Sequence, residues 1–116
     1  MPPERSDEAD RSEWNETLNR IRAQVKAEDF RITQHAHQEM GEESITLDEV
    51  LEAIQEAQIL ENYPEHRRGA CCLINGRTGR NRPIHIVCTT AQPPVIIITV
   101  YEPKPPKWVT QTQRKG

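Results

Sequence analysis

With 116 residues, 34% of them hydrophobic, and a mean hydropathy of −0.81, the chain has room for one domain around a small core. No run of about eighteen apolar residues exists to cross a membrane, and the start MPPERSDEADRSEW lacks the apolar stretch of a secretory signal. A cytoplasmic protein without a membrane partner is expected. The net charge of −3 hides a division: residues 1–65 carry six Lys/Arg against seventeen Asp/Glu, whereas 66–116 carry nine against one, Glu102. The second half is expected either to offer a surface for a polyanion or an acidic partner, or to neutralise the acidic first half across the fold.

In chain order, residues 1–10 are polar and are expected to be disordered. Trp14, Leu18, Ile21 and Val25 then recur at helical spacing and predict an amphipathic helix from about Ser12 to Ala27. Phe30 to Thr33 reads as a short extended segment. A short helix follows, begun by Thr33 and closed by Gly41, with Ile32, Ala36 and Met40 on one face. On it His35 shares a face with Glu39, and His37 points elsewhere. Thr46 and Glu49 form a T-x-x-E capping box flanked by Ile45 and Val50, so 46–57 should be a helix burying Val50, Leu51 and Ile54.

Beyond Gln58 the period changes. QILENY, ACCLIN, PIHIVCTT and PVIIITVYE are short β-branched runs separated by Pro64, Asn75-Gly76, the GRTGRNRP loop and Gln92-Pro93-Pro94. Three consecutive strands joined by short loops should form an antiparallel meander. Ile84, Ile86 and Cys88 should face the core and His85 the other side; Ile96, Ile98 and Val100 form one apolar face, with Tyr101 on the opposite, polar-turning one. The expected organisation is a disordered segment 1–10, one α+β domain over 11–103, and a basic Pro-rich tail over 104–116. That tail cannot be a central strand, and either docks through Trp108 or awaits a partner.

Cys71, Cys72 and Cys88 are odd in number and lack CxxC spacing, so neither a disulfide framework nor a zinc site is expected. Two histidines with Glu39 do not make a metal site either, because i,i+2 spacing on a helix splits the ligands between faces. No metal and no cofactor are predicted.

The order of these motifs, from His35-Ala36 and Met40 through ENYPEHRRGACCLI and RPIHIVCTT to IIITVYEP, resembles domain-of-unknown-function family 4258, over about Arg31 to Trp108. That family is similar to the RelE/ParE class of toxins and is usually encoded beside zinc-finger antitoxins of the YgiT type. The resemblance implies a RelE/ParE-like α+β fold, with N-terminal helices packed on one face of a twisted antiparallel sheet. It also implies a toxin of a type II toxin–antitoxin system that cleaves RNA without a metal, with a cognate antitoxin as partner. Where the family pattern is HAxxRM, this chain carries Glu39 in place of the arginine.

Cleavage of that kind needs a base for the 2′-hydroxyl, an acid for the leaving oxygen, and cations for the phosphorane. His35, His85 and Tyr101 are the candidate catalytic residues; Arg67, Arg68, Arg80 and Arg82 are the candidate RNA-binding cations. The alternative is a non-catalytic RNA- or protein-binding module of the same fold, with structural histidines. A gyrase-directed activity, as in part of the ParE branch, is a third reading.

Overall fold

Each helix forms where the sequence supplies both a buried stripe and an end signal. The structure, a computed structural model, describes residues 4–67, 69–91, 93–105 and 108–114, without the side chains of 4–11, 108, 109 and 114. Helix α1 (Glu4–Lys26) buries Leu18, Ile21 and Val25 and begins eight residues before the predicted start. Strand β1 is Phe30–Ile32 and helix α2 is Gln34–Glu42. Thr33 caps α2, its hydroxyl accepting the Ala36 N–H, while Ala36 and Met40 face the core. Gly41 does not end this helix: the left-handed residue is Ser44, at φ 55°, and the Ile45 N–H returns to the Met40 carbonyl. Helix α3 (Leu47–Gln55) has both halves of the capping box in place and buries Val50, Ala53 and Ile54, with Leu51 partly covered. Arg22 of α1 closes its far end, donating to the carbonyls of Ile54 and Ala57.

Strands β2 (Gln58–Tyr63), β3 (Cys71–Arg77), β4 (Pro83–Thr89) and β5 (Val95–Tyr101) form an antiparallel meander of four strands rather than the expected three. The five-stranded sheet has the order β1-β5-β4-β3-β2. It is mixed rather than wholly antiparallel, because β1 pairs with β5 in parallel. Such a pairing needs a long crossover, which α2, α3 and the meander supply. The main core lies between one face of the sheet and the three helices and includes Cys72, Ile74, Ile84, Ile86 and Cys88.

Two strand expectations need correction. Asn75-Gly76 is not a turn but lies inside β3. Gly76 stands where α3 crosses the sheet, and a Cβ there would meet the Ala53 carbonyl oxygen at 2.0 Å. The phase of β5 also differs: Val95, Ile97 and Val100 join the core, whereas Ile96 and Ile98 do not. Its register against β4 shifts between Val87 and Cys88, the signature of a β-bulge, which lets residues 97 and 100 point the same way.

Candidate active site

On the sheet face away from the helices, the register aligns one polar residue from each of four strands. Gln58 lies opposite Asn75, Asn75 opposite His85, and His85 opposite Tyr101. Cross-strand neighbours stand about 5 Å apart, so the row is continuous. The sequence-predicted pair meets within it: His85 Nδ1 is 3.1 Å from the Tyr101 hydroxyl, and the rings pack edge to face with centroids 5.2 Å apart.

The chain after Tyr101 turns back over this row. Strands β6 (Trp108–Thr110) and β7 (Gln113–Arg114) form a separate two-stranded hairpin with Gln111 and Thr112 at its tip. The main-chain oxygen of Gln111 lies 2.6 Å from His85 Nε2, and its side-chain oxygen accepts from Asn75 Nδ2 at 3.3 Å. A carbonyl only accepts, so His85 Nε2 carries a proton. In the neutral ring Nδ1 then accepts from Tyr101. His85 is fully buried even though it faces away from the main core. The sheet face expected to be open is therefore covered here, by Gln111. Docking through Trp108 concerns a side chain outside those described. Neither Asn75 nor Gln111 stood out in the sequence; the only signal was an asparagine at the register position of a histidine, legible once the strands are paired.

His35 stands apart from the pair. It is exposed on α2, and its Nε2 lies 3.4 Å from Glu39 Oε1, with no hydrogen bond to His85 or Tyr101. Glu39 itself works as an acceptor for the sheet. Beyond Ile97, no strand among the described residues pairs with the outer side of β5, and α2 runs along that edge instead. The Thr33 hydroxyl donates to the Ile98 carbonyl, Glu39 accepts the Val100 N–H at 2.9 Å, and Glu43 accepts the Glu102 N–H at 2.9 Å. Two carboxylates one helical turn apart thus meet alternate N–H groups of the strand. His37 is exposed.

The cations divide in the same way. Arg82 is a clasp: Nε donates to Glu102 at 2.8 Å, Nη2 to the Glu43 carbonyl at 2.7 Å, and Nη1 to the Ser44 carbonyl and Glu49. Its guanidinium is used up in tying the α2–α3 turn to the end of β5. Arg67 and Arg80 are exposed and point their charge to solvent, while Arg68 lies outside the described residues. Cys71, Cys72 and Cys88 are all buried. The contact with Cys72, together with burial, pushes the Cys88 thiol well above its usual range, unlike a nucleophile or a metal ligand.

A family model, the domain of unknown function DUF4258, matches residues 32–102, more than half of the chain. The chain belongs to the DUF4258 family. No curated protein and no solved structure shows significant similarity to it. The match takes in α2, α3 and all of the meander, and with them Asn75, His85 and Tyr101; it stops at Glu102, ahead of the C-terminal hairpin.

Proposed function

We propose that this DUF4258 protein is a small metal-independent ribonuclease of the toxin–antitoxin kind, held in check by a cognate zinc-finger antitoxin. The observation that carries the reading is the His85–Tyr101 hydrogen bond within a row of polar side chains on the face away from the core. A tyrosine hydroxyl both donates and accepts, so Tyr101 serves either His85 tautomer. With Nδ1 protonated and donating to Tyr101, Nε2 is a base for a ribose 2′-hydroxyl. With both nitrogens protonated, Nε2–H is an acid for the leaving oxygen. Tyr101 positions the ring, and Arg67 and Arg80 supply exposed cations for the RNA backbone. In this reading His35, exposed beside Glu39, contributes an RNA contact from α2 rather than a proton transfer with the pair.

A second reading has its own observation in favour. His85 is fully buried with both ring nitrogens engaged, as in a structural histidine of a binding module. Induced expression of the protein without its antitoxin, following growth and total RNA, separates the two. On the ribonuclease reading, His85→Ala lowers cleavage by about 10²-fold or more and relieves growth arrest. Tyr101→Phe and His35→Ala cost less, and His37→Ala is neutral. A folded His85→Ala protein that is as toxic and as active on RNA as the parent would establish the structural role.

A further inference from the structure

His85 presents Nε2 away from Tyr101, and Asn75 presents its amide beside it. Both meet the tip of the C-terminal hairpin, through two oxygens of one residue, Gln111. The seating is imperfect: Asn75 is 7% exposed, yet its Oδ1 has no hydrogen-bond partner among the described residues. A buried acceptor without a donor is a standing cost of the closed arrangement, and a ligand that brings an N–H or O–H there removes it.

The hairpin is also weakly held by its own structure. Its strands are three and two residues long and lie outside the five-stranded sheet, and a hairpin of that kind has little stability alone. The described residues between β5 and the hairpin include Pro103 and Pro105, which lie outside both sheets. The segment after Glu102 carries Lys104, Lys107, Arg114 and Lys115 and no acid, so a polyanion approaching the row attracts the cover as well as the site. The family match covers the row and ends before the hairpin begins.

We infer that the C-terminal hairpin is an intramolecular competitor of RNA, with the oxygens of Gln111 occupying the donors of Asn75 and His85 that single-stranded RNA takes when the hairpin swings away. The inference rests on the ribonuclease reading and adds its regulation: the enzyme is closed until substrate or a partner draws the tail off. A base edge suits Asn75, whose amide pairs one donor and one acceptor, while a ribose or phosphate oxygen takes the place of the Gln111 carbonyl on Nε2.

The test uses the full chain. Diethyl pyrocarbonate modifies accessible neutral imidazoles, and mass spectrometry reads each histidine separately. In the parent protein His85 should react at least about tenfold more slowly than exposed His37, as expected for a site reached only by local opening. Gln111→Ala should speed modification of His85 several-fold, leave His37 unchanged, and tighten binding of a 2′-O-methyl RNA oligonucleotide. Gln111→Glu, which keeps an acceptor for Asn75, should stay protected. His85 reacting as fast as His37 in the parent protein would overturn the cover. So would unchanged protection in a folded Gln111→Ala protein that binds the oligonucleotide no better, and that result leaves the RNA reading standing. Protection released while neither protein binds the oligonucleotide would instead overturn the RNA reading, and the competition with it.

Discussion

Gly76 shows how one missing side chain sets the distance between layers. Helix α3 lies so close to β3 that an added Cβ would sit 2.0 Å from the Ala53 oxygen, and backbone on both sides resists moving. Gly76→Ala should therefore destabilise the fold by about 3 kcal/mol, the upper end for overpacking; a denaturant midpoint equal to the parent's would refute the close approach. Glu49 makes a different kind of contribution at the other end of α3. Its carboxylate accepts the Thr46 N–H and lies 3.4 Å from Arg82, and these contacts hold its pKa below the ordinary carboxyl value. A depressed folded pKa means stability that is present above the unfolded value and lost as pH falls through the folded one. The gap in midpoint between parent and Glu49→Gln should accordingly narrow between neutral pH and about pH 3, and a gap that stays constant would show the charge to be idle. Thr46→Ala should cost about 1 kcal/mol at neutral pH through the lost cap.

Helix α2 does the work of a missing sixth strand. An exposed strand edge is a template for unwanted pairing, and burying it without partners is costly. Glu39 and Glu43 resolve both problems by taking the N–H groups of Val100 and Glu102. This gives a physical reason for an acid at position 39, where the family resemblance leads one to expect arginine: a guanidinium has no acceptor to offer. Glu39→Ala should cost about 1–3 kcal/mol by stranding a partly buried N–H. Glu39→Gln, which retains a carbonyl oxygen, should stay close to the parent, and Glu39→Arg should be at least as damaging as Glu39→Ala. Equal thermal midpoints for Glu39→Ala and Glu39→Gln would remove the edge-capping role.

The charge division seen along the chain becomes a division of labour in the folded molecule. Arg82 is spent within the protein, against Glu102, Glu49 and two carbonyls, whereas Arg67 and Arg80 remain at the surface. On the RNA reading, the Arg67→Ala/Arg80→Ala protein should bind a single-stranded oligonucleotide more weakly and with a salt slope shallower by about 1, as lost phosphate contacts release fewer counterions. Arg82→Ala should lower thermal stability while leaving the slope of the surviving folded protein unchanged. A slope that falls on removing Arg82 but not on removing Arg67 and Arg80 would invert this assignment.

What was legible in the sequence is what neighbours in the chain decide. The Thr46–Glu49 box, the Leu18–Ile21–Val25 stripe, the β-branched runs of the meander and the outward phase of His85 follow from spacings of two to four residues, whereas the outward phase of Tyr101 also needs the bulge. Those spacings act through local geometry whatever the rest of the molecule does. The features that escaped it depend on partners far along the chain. Gly76 inside a strand answers to α3, and Glu39 as an acceptor answers to Val100, sixty-one residues on. The burial of His85 answers to Gln111, twenty-six residues on. A turn-like dipeptide, a charged helix residue and a polar tail each carry several local meanings. The choice among them is made only when packing brings up the group whose hydrogen bond or volume must be satisfied. Hence the row of polar side chains was half readable from alternation, while its closure by the hairpin belongs to the folded molecule.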